Sequence, residues 1–172
     1  MTQETIEQLA ANLLLSTEHP LHFPTDLKKV AKKLNASIVK SNLRGESGYI
    51  LQYKNHFLIC IDTENHRVTH NRFTIAHELS HIALGHLNKR KHISYAQKEQ
   101  EANDMAGALL MPFHFMVAYR DYETRILSGF MAVSEQAMDI RRKQIIKDHH
   151  YHTAVQRNYY QDNLTRDIRG GV

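Results

Sequence analysis

The chain contains one cysteine, Cys60, so no disulfide can form within it and the fold must rest on a packed core. Cys60 lies in the apolar run Phe57-Leu58-Ile59-Cys60-Ile61 and reads as a buried thiol. No apolar stretch approaches the ~18 residues of a membrane-spanning helix, and Leu13-Leu14-Leu15 belongs to an amphipathic pattern. The opening residues, Met1-Thr2-Gln3-Glu4-Thr5-Ile6-Glu7, carry acid where a secretory signal would carry base. A cytoplasmic protein without a membrane partner is therefore expected. Internal repeats, low-complexity tracts and domain linkers are also missing. The 172 residues read as one domain, long enough to bury a core.

A strong charge of one sign is lacking too. The formal charge is +4, and the basic clusters at Lys28-Lys29, Lys89-Arg90-Lys91 and Arg141-Arg142-Lys143 each stand beside apolar residues at helical spacing. They read as solvated helix faces rather than a nucleic-acid surface, and no nucleic-acid-binding motif accompanies them.

What the chain has in quantity is histidine, 13 residues. Hydrophobic spacing predicts helices over about 4–16, after Pro24-Thr25-Asp26, from Thr69 or Asn71 to about His86, from about Ala96 to Met111, over 113–120 and from Ser134. Three extended runs, Ala36–Lys40, Gly48–Tyr53 and His56–Asp62, predict a small antiparallel sheet with a tight turn at Lys54-Asn55. The expected fold is α+β: a mostly helical single domain over 1–146, with the sheet packed against the helix that carries His77-Glu78-Leu79-Ser80-His81. A polar tail, 147–172, is expected to be loosely held.

His77 and His81 are four residues apart, a rotation of roughly 40°, so both imidazoles leave one helix face and can bind a single tetrahedral Zn²⁺. Glu78 is rotated by roughly 100° from His77 and can lie over an open coordination position, where a carboxylate moves the proton of a bound water. A chance HExxH is expected in roughly 0.06 of shuffled chains of this composition, so the five residues alone are only suggestive. Their place in an apolar helix adds weight, because unpaired histidines there would be costly. His86 falls roughly 180° from His77 on an uninterrupted helix and is rejected as a ligand, with a place on the far side expected for it. The third ligand should come from the next helix. Glu99 and Glu101 lie on opposite flanks of its apolar face, and the helical wheel does not choose between them. Asn103 and Asp104 could orient a zinc-bound histidine through its second nitrogen. His70, Tyr95, His114 and Tyr119 are candidate donors to a developing oxyanion. His149-His150-Tyr151-His152 and Tyr159-Tyr160 read as parts of a solvated tail.

Arg72 to His81, then Leu84-Gly85-His86, Glu101-Ala102-Asn103, Leu109-Leu110-Met111-Pro112 and Phe130 to Met138 together resemble the ImmA/IrrE family of metallo-endopeptidases. The resemblance implies a zincin-like fold, zinc as cofactor with manganese able to replace it in vitro, Glu101 completing the site of His77 and His81, and Glu78 as general acid/base. Ser80 departs from the commoner glycine. The implied substrate is a protein, typically a helix-turn-helix repressor of a mobile element, prophage or stress response. A non-cleaving anti-repressor or a toxin–antitoxin component would share the site but not the reaction, and the intact Glu78 favours the enzyme.

Overall fold

The computed structural model describes residues 1–17, 22–43, 45–62, 64, 67–88 and 93–148. The histidine tract His149–His152 and the aromatic pair Tyr159-Tyr160, read from the sequence as parts of a solvated tail, lie outside them.

Helix α1, Gln3–Leu15, starts at Thr2, whose hydroxyl accepts from the amide of Thr5. It buries Ile6, Ala10 and Leu14, the one-face spacing of an amphipathic helix. Helix α2, Leu27–Lys33, is capped by the Asp26 carboxylate and ends before Asn35, whose positive φ of 52° turns the chain into the sheet. The strands are β1 (Ala36–Ser41), β2 (Gly48–Tyr53) and β3 (His56–Asp62). Their order is β1-β3-β2.

The sheet is mixed, which corrects the antiparallel expectation. β2 and β3 form the predicted hairpin, with Lys54 at φ 53° in its turn, but β1 pairs with β3 in parallel. The reason is burial. β3 carries the longest apolar run, with Ile59, Cys60 and Ile61 all buried, and so takes the central place, leaving β1 and β2 as edges.

Helix α3, Val68–Ala83, packs under the sheet and along α4, Tyr95–Leu110. Ala76 and Leu79 of α3 and Met105, Ala106 and Leu109 of α4 belong to one core with Ile59 and Ile61. α3 starts one residue before Thr69, and its first residues have no side-chain cap at Arg67. Tertiary contacts tie this end down instead: Arg72 Nη2 donates to the Thr25 carbonyl at 3.0 Å, and Thr25 Oγ1 donates to the Leu109 carbonyl at 2.9 Å. α4 starts as a local rule dictates, with Ser94 Oγ accepting from the amide of Gln97 at 3.2 Å.

Three helices close the domain: α5 (Phe113–Ala118), α6 (Thr124–Met131) and α7 (Glu135–Asp148). Spacing alone had not marked α6, although it buries Leu127 and Met131 and leaves Ile126 and Phe130 outside. Ala132 at φ 52° ends it, and Ser134 Oγ accepts from Ala137 N to start α7. Among the described residues, no helix is long and apolar enough to cross a membrane.

Candidate active site

One turn apart on α3, His77 and His81 present their Nε2 atoms to each other at 3.0 Å. Glu99 of α4 faces the same point: Oε2 is 3.3 Å from His77 Nε2, and Oε1 is 3.4 Å from His81 Nε2. Ligand bonds of 2.0–2.1 Å around a tetrahedral zinc set neighbouring ligand atoms about 3.3 Å apart. The three edges of this triangle match that spacing, and among the described residues this trio is the group suited to a metal ion. The donor set, two imidazoles and one carboxylate, is that of a catalytic zinc site with a fourth position open to water.

The second nitrogens are also held. His77 Nδ1 lies 2.9 Å from Asn103 Oδ1, an acceptor, so Nδ1 carries the proton and Nε2 keeps its lone pair. His81 Nδ1 lies 3.0 Å from His86 Nδ1, and His86 Nε2 donates to Glu101 Oε2 at 3.1 Å. Burial, and then the neighbouring His77, His86 and Lys98, lower the His81 pKa to about 4, so this imidazole is neutral and able to donate at neutral pH.

The predicted site residues fare differently. Glu101, the third ligand implied by the family resemblance, is not brought to the paired imidazoles. It is buried beside His86, with Oε1 accepting from Gln97 Nε2 at 3.0 Å and from the Met1 amine. Burial alone would raise its pKa, but hydrogen bonds from the Met1 amine, Gln97 and His86 offset this and hold it near 2. The place expected for His86 is corrected too. α3 ends at Ala83 and Gly85 adopts φ 66°, so His86 turns back beneath His81 instead of continuing to the far side. Lys98 Nζ donates to the His86 carbonyl at 2.9 Å and pins that turn to α4. Asp104 is engaged by Gln100 and Gln144 rather than by a histidine. Ser80 fits its buried position because its hydroxyl donates to the Ala76 carbonyl at 2.7 Å.

Glu78 is largely buried. Desolvation, and then the charge of Glu99, raise its carboxyl pKa to about 7, the range in which a group both takes and gives a proton at neutral pH. Of the four candidate oxyanion donors, His70 bonds Ser47 Oγ at 3.1 Å and lies two turns before His77 on α3. Tyr95 is exposed one turn before Glu99 on α4. His114 and Tyr119 pack around Phe115 on α5 and its end, and burial lowers the His114 pKa to about 4. A groove of about 770 Å³ runs between α3, α4 and α7 past His70, Phe73, Asn103 and Ile140, and His77, His81 and Glu99 do not line it.

The helical wheel leaves Glu99 and Glu101 both open, although a signal that chooses between them is present in the sequence. Glu99 and Asn103 are four residues apart and so share a helix face, which suits one side chain to His77 Nε2 and the other to its Nδ1. No curated protein matches the chain. A family model does, over residues 31–143, a span from α2 to α7 that contains the whole His77, His81 and Glu99 cluster with Glu78 and Asn103. That span is well over half of the 172 residues, and the chain belongs to the metallopeptidase family it describes, Peptidase_M78, the IrrE N-terminal-like domain.

Proposed function

We propose that this protein is a zinc-dependent endopeptidase with His77, His81 and Glu99 as metal ligands and Glu78 as general acid/base. The observation that carries the reading is the triangle of two Nε2 atoms and one carboxylate at 3.0, 3.3 and 3.4 Å. Zinc held there would polarise a scissile carbonyl and bring a water's pKa to about 7. The remaining steps belong to the chain. Neutral His81 offers the lone pair of Nε2 to the metal position, and Asn103 fixes the His77 ring. Glu78, next to the ligand His77 on α3, takes a proton from the attacking water and returns it to the leaving amine.

A polypeptide substrate is supported by β2, an edge strand that exposes Tyr49, Leu51 and Tyr53. An extended segment can add to such an edge through main-chain hydrogen bonds. From the family resemblance, the substrate is a helix-turn-helix repressor of a mobile element, prophage or stress response.

The test is to incubate the purified protein and Zn²⁺ with the candidate repressor. Wild type is expected to yield defined fragments, and Glu78→Gln to retain metal and yield none. Binding of the repressor by both proteins without cleavage by either would replace this reading with sequestration.

A further inference from the structure

We infer that His86 and Glu101 form a positioning relay that holds His81 as a metal ligand, a role separate from coordination. The inference rests on the reading of His77, His81 and Glu99 as the metal centre.

The chain of contacts runs from Glu101 Oε2 to His86 Nε2 at 3.1 Å, and from His86 Nδ1 to His81 Nδ1 at 3.0 Å. With His86 neutral, its hydrogen-bond polarity has one consistent solution. A carboxylate oxygen only accepts, so His86 Nε2 carries its proton. Neutral His86 then has an acceptor at Nδ1, which requires N–H at His81 Nδ1. His81 Nε2 is left with a lone pair directed at His77 and Glu99. The relay selects one of the two tautomers of His81 and locks its ring plane.

Every member of the relay is itself held. His86 and Glu101 are buried, at 4% and 5% exposure. Gln97 and the Met1 amine occupy the other oxygen of Glu101, leaving Oε2 to His86. Gly85 supplies the left-handed turn that places His86 under His81, and Lys98 fastens the His86 carbonyl. The two ligand histidines are thus steadied by different means: His77 by an exposed carboxamide from Asn103, and His81 by a buried carboxylate acting through an imidazole. Outer partners of metal-bound histidines typically change metal affinity by about 10–100-fold when removed.

The experiment measures Zn²⁺ affinity of the full chain by chelator competition, and the visible spectrum of the Co²⁺-loaded protein. His86→Phe and Glu101→Gln should each weaken zinc about 10–100-fold and shift the cobalt bands. The double variant should lose no more than the worse single one, because both changes break the same chain of contacts. His86→Gln should recover most of the affinity, since a carboxamide offers one acceptor and one donor in place of the two ring nitrogens. Additive losses, or unchanged affinity and cobalt spectrum in Glu101→Gln, would overturn the relay. So would a loss confined to Glu101→Gln with His86→Phe at wild-type affinity, which would make Glu101 a ligand. If His86→Phe does not fold, the Glu101→Gln spectrum and the His86→Gln affinity decide. His77→Ala and Glu99→Ala serve as the separate control. Full zinc retention by both would reject the metal centre itself, whereas their loss beside an unaffected Glu101→Gln rejects only the relay.

Discussion

Asn103 Oδ1 accepts a hydrogen bond from His77 Nδ1 at 2.9 Å, one helical turn after Glu99 meets the same ring at Nε2. One stretch of α4 therefore grips both nitrogens of one imidazole. Asn103→Ala removes the grip on Nδ1 and frees the ring to rotate. Zinc affinity should fall roughly 10–100-fold while the metal-free protein keeps its melting temperature, because Asn103 is exposed and carries little packing. Asn103→Asp keeps the acceptor and should hold affinity at or above wild type. Competition with a chromophoric chelator checks both variants, and an unchanged affinity in Asn103→Ala would remove Asn103 from the site.

Much of this architecture was legible in local sequence, and the exceptions share a cause. All three strands and the start of α4 follow from residues close together in the chain: alternation, the Lys54-Asn55 turn and the Ser94 cap. His77, Glu78 and His81 are fixed by helical spacing alone. What escaped depends on distant contacts. The parallel pairing of β1 with β3 is decided by which strand the core buries most deeply. The position of His86 depends on α3 ending at Ala83, two residues before Gly85, after which helical periodicity no longer applies. The choice between Glu99 and Glu101 depends on how α4 rotates against α3. Once His86 turns inward it needs an acceptor, and Glu101 supplies it, leaving Glu99 for the imidazole pair.

Glu78 gives the metal-free protein a pH signature of definite sign. Its carboxyl has a folded pKa of about 7 against an ordinary 4.5. Between these values the folded state holds a proton that the unfolded state has released, so this group's contribution to stability falls as pH rises from about 4.5 to about 7, then levels off. His81 acts oppositely, with a pKa lowered from 6.5 to about 4, so its contribution is lost as pH falls through that interval. Comparing wild type with Glu78→Gln cancels the His81 contribution. Glu78→Gln should gain denaturation midpoint relative to wild type at pH 8, and the gain should shrink towards pH 5. A difference independent of pH would show that Glu78 does not titrate in this window.

Gly48 marks where β2 lies directly on α3. A Cβ there would stand 2.7 Å from Thr74 Cγ2 and 3.0 Å from the Cys60 carbonyl oxygen. Neither neighbour can give easily, since Thr74 is buried on a helix and the carbonyl belongs to the central strand. Gly48→Ala should therefore destabilise by about 1–3 kcal/mol, as overpacking of a well-filled interior does. Combining it with Thr74→Ser removes the methyl group in closest conflict and should recover part of the loss. Urea midpoints of the wild type and the two variants test this, and a neutral Gly48→Ala would mean that β2 is not seated tightly on the helix.

Arg141 joins α7 to α1 through a buried, bidentate pair. Nη1 and Nη2 donate to the two oxygens of Glu7 at 2.5 and 2.8 Å, and Nε donates to the Met111 carbonyl at 2.9 Å. Both side chains are almost wholly enclosed, at 1% and 4% exposure, so neither charge can turn to water if its partner is lost. Glu7→Ala leaves a buried guanidinium unpaired and should cost about 3–5 kcal/mol. In a domain of this size that is a fall in melting temperature of roughly 6–20 °C. Replacing both residues by apolar ones, Glu7→Leu with Arg141→Met, removes both desolvation penalties along with the attraction. The double variant should be more stable than Glu7→Ala, although the Met111 carbonyl then loses its donor. Thermal melts of the metal-free proteins measure this order, and a double variant below Glu7→Ala would show that the pair stabilises the domain beyond what burial of two charges costs.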